Sequence, residues 1–103
     1  MYTECAYNFV MYVVWDSQKA RTNLKKHGVD FADAAVALED INALTILDTE
    51  EGEYRFITLA RGPTPDVLYI VHTEQSEDII RIISARRANS TEKRQYFVGE
   101  VHE

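Results

Sequence analysis

"IRIISARRANSTEKRQY" (residues 80–96) switches structural grammar within a few residues. Ile79 to Ala85 is apolar enough on both faces for a central strand, with Ile79, Arg81, Ile83 and Ala85 alternating onto one face and Ile80, Ile82 and Ser84 onto the other. Arg86 and Arg87 then fall where the strand leaves for a helix. Asn89 or Ser90 caps that helix, Asn89 and Glu92 have capping-box spacing, and Tyr96, Phe97 and Val101 supply an apolar face. Arg81 is the puzzle, because a half-buried guanidinium requires a partner. Either a carboxylate of the chain supplies it, from Glu53 or from the first helices, or a phosphate does so later.

Upstream of this stretch the pattern from Ala43 onward is of strands, expected near 43–48, 54–62, 67–74 and 79–85. The connections "EEGE" (50–53), "GPTPD" (62–66) and "EQSED" (74–78) are short, which implies antiparallel neighbours. Further back, Phe9 to Trp15 suits a strand, and Asp16 or Ser17 can cap a polar helix that ends at Gly28 with Lys25, Lys26 and His27 in its last turn. Asp30 caps a second short helix carrying Phe31, Ala34, Ala35 and Leu38 at helical spacing. The expected fold is therefore α+β: an antiparallel meander sheet with two N-terminal helices and one C-terminal helix. One sheet face is core, and the other is open for a ligand.

The chain of 103 residues is expected to be one domain spanning 1–103, with residues 1–8 a disordered lead. "CAYNFVMYVVW" is apolar, but no Lys or Arg precedes it, no small-residue cleavage site follows, and it is too short to span a bilayer. It is read as a strand rather than a targeting segment. The single cysteine, Cys5, cannot form an internal disulfide, so cytoplasm is the default compartment and no membrane association is expected.

A net charge of −6 argues against a protein that coats nucleic acid non-specifically. Its distribution argues otherwise for one local site. Lys19, Arg21, Lys25 and Lys26 fall within residues 17–29, and Arg81, Arg86, Arg87, Lys93 and Arg94 within 81–94, where Glu92 is the sole acid. A positive patch on an acidic body suits an anionic ligand, since local potential decides binding.

No glycine-rich phosphate loop, cysteine pair, HExxH or GxSxG is present, and His27, His72 and His102 have no metal-ligand spacing, so no cofactor is expected. Arg55 shares a face with Ile57, Leu59 and Arg61 on a regular strand, and it can converge with Arg81, Arg86 and Arg87 on one anion. Lys19 sits one turn into its helix, out of place for the dipole, and His27 is the histidine best placed for proton transfer. Each also has a structural reading: Arg81 an internal ion pair, Arg55 an edge cation, Arg86 and Arg87 a solvated connection, and Lys25, Lys26 and His27 a helix terminus. Trp15 and Phe31 read as core, and Ser84 as a satisfied strand hydroxyl.

"WDSQKARTNLKKHGVDFADA" (15–34), "EYRFITLA" (53–60) and "IRIISARRANSTEKRQY" (80–96) together closely resemble the BrnT toxins of BrnT/BrnA toxin–antitoxin systems. The pattern there is W-D-x-x-K, N-x-x-K-H-G-V, F-x-x-A, E-x-R and R-I-I-S-A-R-x-A followed by E-x-x-x-Y. The resemblance implies a RelE-like endoribonuclease toxin that blocks translation by cutting RNA without a metal. It also implies neutralisation by a BrnA-type ribbon-helix-helix antitoxin, with operator DNA reached only through that complex. Within it, Arg55, Arg81 and Arg86 would clamp the phosphate, Lys19 and His27 would transfer protons or add phosphate contacts, and Lys26 and Arg87 would bind substrate. Ala60, His72 and Ile41 depart from the family's glycine, tyrosine and proline, and additional residues precede Trp15. The competing expectation is a non-catalytic module that binds protein or DNA as a corepressor subunit, or a toxin whose site has decayed.

Overall fold

The computed structural model describes residues 4–7, 12–48 and 54–101. Strands β1 (Glu4–Tyr7) and β2 (Tyr12–Trp15) lead into helices α1 (Ser17–His27) and α2 (Phe31–Ala37). Strands β3 (Leu44–Asp48), β4 (Arg55–Arg61), β5 (Val67–Ser76) and β6 (Ile79–Arg87) follow, and helix α3 (Ser90–Val101) closes the order.

The helix ends are where the sequence places them. Asp16 caps α1 by accepting from the Gln18 and Lys19 amides at 2.8 and 3.3 Å, and these bonds hold its carboxyl below the usual aspartate range. Gly28 ends α1 in the left-handed region at φ 72°, its N–H returning to the Leu24 carbonyl. Asp30 caps α2 through the Ala32 amide. At α3, Asn89 and Glu92 form the reciprocal capping box: the Glu92 amide donates to Asn89 Oδ1 at 2.8 Å and the Asn89 amide to Glu92 Oε1 at 2.9 Å.

The six strands lie in the order β1-β2-β6-β5-β4-β3. β3 to β6 make the expected antiparallel meander, but the sheet as a whole is mixed, because β2 runs parallel to β6 through Tyr12, Val13 and Val14. This corrects the all-antiparallel expectation, and the reason is topological. β2 docks beside the last strand of the meander rather than the next strand in sequence, and α1 and α2 cross over in between. The two helices thus follow strands instead of beginning the chain. Glu4–Tyr7, inside the lead read as disordered, forms a strand on the outer edge of β2. The Phe9 end of the expected first strand and the "EEGE" turn lie outside the described residues. β5 continues to Ser76, so the connection read over 74–78 tightens to Glu77 and Asp78.

One face of the sheet carries Val13, Trp15, Ala60, Leu68, Ile70, Ile82 and Ala85 and is covered by Phe31, Ala34, Ala35 and Ala37 of α2, with Ala20 of α1. Trp15 and Phe31 meet edge to face at 6.2 Å. Alanines on α2 permit a close approach, and Gly62 permits a closer one still: a Cβ there would lie 2.6 Å from Ala37 Cα. On the opposite face α3 covers one end, where Leu59, Val67, Ala88 and fully buried Tyr96 pack together. Tyr96 donates its hydroxyl to Asp40 at 2.5 Å. Burial pushes the Asp40 carboxyl up, but donation from Tyr96 and from the Arg61 and Asn42 amides outweighs it and holds the group ionised. Among the described residues, nothing covers the remainder of that second face.

Candidate functional site

The uncovered face is assembled by register, and one irregularity decides its composition. Ser84 pairs with Val71 and Ile82 with His72, so Ile83 is an extra residue in β6, a β-bulge. Strict alternation would put Arg81 and Arg86, five positions apart, on opposite faces. The bulge shifts the phase instead, and Arg81, Ser84 and Arg86 stand on one face, opposite Thr73, Val71 and Tyr69. The expected grouping of Arg81 with Ile83 and Ala85 is thereby corrected, since Ala85 is in the core on the other side. Arg55 extends the same row: it shares its face with Ile57, Leu59 and Arg61, so Arg55 and Arg81 flank Thr73 from strands about 10 Å apart.

Helix α1 borders this face. Beyond Arg81 no strand among the described residues covers the outer edge of β6, and Asn23 takes the place of one: Nδ2 donates to the Ala85 carbonyl at 2.8 Å and Oδ1 accepts from the Ala85 amide at 3.2 Å. Nδ2 also reaches the Val29 carbonyl at 3.0 Å, which fixes the turn after Gly28. Anchored at Asn23, the same helical stripe presents Gln18, Lys19, Thr22, Lys26 and His27 to β6, with Ile83 and Ser84 as the far wall of an open cleft of about 340 Å³. Among the described residues, the side chains of Lys19, Lys26 and His27 make no hydrogen bond or ion pair.

Arg86 is held differently. Its guanidinium makes two 3.0 Å bonds to the Glu92 carboxylate and lies 3.8 Å from the Tyr69 ring centre. The Glu92 bonds raise its already high pKa and lower that of Glu92. Of the two partners weighed for these arginines, the internal carboxylate is the one the structure gives Arg86. Arg87 faces the other way, bonded through Nε to Asp66 at 3.2 Å and through a terminal nitrogen to the His27 carbonyl at 3.3 Å, where it complements the C-terminal end of α1. The fold therefore brings together Lys19, Lys26, His27 and Ser84, with Arg81, Arg86 and Arg55 on the adjoining sheet face, and leaves Arg87 outside the group.

Reading the sequence missed Ser84 as a cleft residue, because alternation assigned it to the opposite face from Arg81. Tyr69 and the second duty of Glu92 were missed as well. The Asn89–Glu92 spacing signalled only the cap, and nothing in the sequence placed β5 beside Arg86. The face also holds an apolar groove of about 280 Å³ between α3 and the sheet, lined by Leu44, Ile46, Ile57, Leu59 and Tyr69.

A cationic helix stripe set against an open face of a mixed sheet defines an α+β protein with a site suited to an anionic polymer. Residues 15–92 match the family model described as "Ribonuclease toxin, BrnT, of type II toxin-antitoxin system", and the chain belongs to that family. No curated protein sequence matches it. The 1.1 Å crystal structure of the Brucella abortus ribonuclease toxin BrnT superposes with a TM-score of 0.61 at 24% identity, over 76% of this chain and 96% of the Brucella chain, and so shares its fold.

Proposed function

We propose that this protein is the toxin of a type II toxin–antitoxin pair, a metal-independent endoribonuclease that inhibits translation by cutting RNA in the α1/β6 cleft. The observation that carries this reading is the gathering of Lys19, Lys26 and His27, uncommitted to other residues, beside the face that bears Arg81 and Arg55. RNA cleavage through the 2′-hydroxyl needs that hydroxyl deprotonated, the in-line phosphorane charge stabilised and the 5′-oxygen protonated. Arg81 and Arg55 supply the charge stabilisation, and Arg86, oriented by Glu92 and Tyr69, adds to it from the far end of the row. Lys19 and His27 are assigned proton transfer or further phosphate contact, and Lys26 substrate binding. A site built from cations repels a divalent metal, which supports the metal-free chemistry.

The inferred partner is a BrnA-type antitoxin with a ribbon-helix-helix domain, through which the pair reaches operator DNA, and the cytoplasm is the inferred compartment. A non-catalytic interaction module is the second reading. It is favoured by the internal pairing of Arg86 with Glu92 and of Arg87 with Asp66.

The test is induction of the chain without antitoxin, beside Arg81→Ala and Lys19→Ala variants, with growth and total-RNA integrity as readouts. Arrest with RNA fragmentation that both variants lose is the expected result. Arrest unchanged in the variants moves the chemistry elsewhere, and harmless expression of folded wild-type protein favours the second reading.

A further inference from the structure

The bulge at Ile83 leaves the next residue with a polar group and no structural task. Ser84 stands between Arg81 and Arg86 on the same face, opposite Val71, and forms the β6 wall of the cleft that Lys19, Lys26 and His27 line from α1. Among the described residues its hydroxyl makes no hydrogen bond. Other hydroxyls of the sheet are committed: Thr45 bonds Thr58 at 2.7 Å, Thr58 bonds His72 at 2.8 Å, and Thr73 accepts from Gln75 at 3.3 Å. A β-branched residue packs better than serine on a pleated surface, so packing does not explain a serine here.

What the position offers is a directional donor among undirected charges. The flexible lysines of the cleft, Lys19 and Lys26, attract a phosphate as point charges but leave its position loosely fixed, whereas a hydroxyl on a rigid strand bonds one oxygen along one direction. We propose that Ser84 is a substrate-contact residue whose Oγ–H donates to a non-bridging phosphate oxygen of RNA lying between α1 and β6. The inference rests on the RNA reading given above and adds to it the group that sets where the phosphate sits.

The experiment measures binding of a single-stranded 2′-O-methyl RNA oligonucleotide of mixed sequence, which lacks a cleavable 2′-hydroxyl, across a salt series. Wild type, Ser84→Ala, Ser84→Thr and Lys19→Ala are compared. Ser84→Ala is expected to lose on the order of tenfold in affinity, the scale of one hydrogen bond to a charged group, with its salt slope and melting temperature unchanged. Ser84→Thr, which keeps the hydroxyl, restores binding. Lys19→Ala loses affinity and also flattens the salt slope by about 0.7, the signature of one lost phosphate contact on a single strand. Ser84→Ala binding like wild type while Lys19→Ala weakens would overturn the Ser84 contact and leave the RNA reading standing. Wild type that fails to bind at low salt overturns both.

Discussion

The carboxamide of Asn23 closes a two-point bond on the backbone of Ala85, donating to its carbonyl and accepting from its amide across 62 residues of sequence. The side chain thus acts as a short piece of neighbouring strand along the β6 edge, and it fixes the distance between the α1 cations and the sheet. Asn23→Ala leaves a buried amide and carbonyl unsatisfied, so a loss of about 2–4 kcal/mol in urea unfolding is expected. Asn23→Asp replaces the donor with an acceptor against the same carbonyl and is expected to be no better. Stability of Asn23→Ala within about 0.5 kcal/mol of wild type would show that the edge does not depend on it.

Deleting Ile83 removes the bulge. β6 then pairs regularly, with Ile82 still opposite His72 and Ser84 still opposite Val71, so Ile80 and Ile82 stay on the core face and strict alternation keeps Arg81, Ser84 and Arg86 together on the other. The deletion variant is expected to fold, losing the local bend of the strand and the Ile83 part of the cleft wall, while Ile83→Val, which keeps the extra residue, folds with a loss of about 1 kcal/mol or less. An unfolded deletion variant by circular dichroism would mean that the bend at the bulge, and not the pairing alone, is needed to seat β6.

His72 is 4% exposed, its Nε2 paired with the Thr58 hydroxyl, its Nδ1 buried with no hydrogen-bond partner among the described residues and its ring stacked on Phe56 at 5.7 Å. Burial lowers its pKa to about 4, so the folded protein holds it neutral where the unfolded chain, at the ordinary 6.5, begins to protonate. The unfolded state binds the extra proton between these values, and stability is therefore lost as pH falls from 6.5 towards 4, by up to about 1.4 kcal/mol per unit. His72→Gln is expected to flatten this limb in urea titrations at pH 7, 5.5 and 4.5. A variant with an equally steep limb would assign the loss to other groups.

The Arg86–Glu92 pair is partly exposed, so its worth is limited despite two good bonds. A double-mutant cycle with Arg86→Ala and Glu92→Ala is expected to return a coupling of about 1 kcal/mol after solvent screening. Glu92 has a lowered folded pKa, so this contribution is present above the ordinary carboxylate value of 4.5 and disappears as pH falls through the folded one. Coupling that persists undiminished at pH 2 would show that packing against Tyr69, and not charge, holds Arg86.

Two glycines separate backbone strain from lack of space. Gly28→Ala must adopt φ 72° but meets only a flexible Arg87 nitrogen at 3.5 Å, and costs about 1 kcal/mol. Gly62→Ala would press a methyl into the Ala37 backbone at 2.6 Å and is expected to cost more, about 2–4 kcal/mol. Thermal melts that reverse this ranking would contradict the close contact between α2 and the β4–β5 turn.

Local chemistry was legible where a residue's role is fixed by its immediate neighbours. Asp16, Gly28, Asp30 and the Asn89–Glu92 box mark helix ends whose partners are within a few residues, and the β-branched runs mark strands without needing to know their neighbours. Features requiring distant partners were not legible. The parallel pairing of β2 with β6 depends on which strand edge is vacant, and the bulge at Ile83 depends on how β6 meets β5, so the alternation rule misplaced Ser84 and Ala85. Lys19 and His27 were singled out from position and type and Lys26 through the family resemblance, and their meeting in one cleft followed from helical periodicity once Asn23 fixed which stripe faces inward. That Arg86 already has a carboxylate was hidden because Glu92 carried a sufficient local explanation as a cap.

The placement of α1 against β6 also bears on when, during its own synthesis, this protein acquires the α1/β6 cleft. The α1 wall is translated early, but Ser84, Arg81 and the Ala85 backbone that positions Asn23 are more than 50 residues further along the chain. Such long-range contacts form late, after the intervening meander exists to carry them. A nascent chain still on the ribosome thus lacks a complete α1/β6 cleft until the last strand is made.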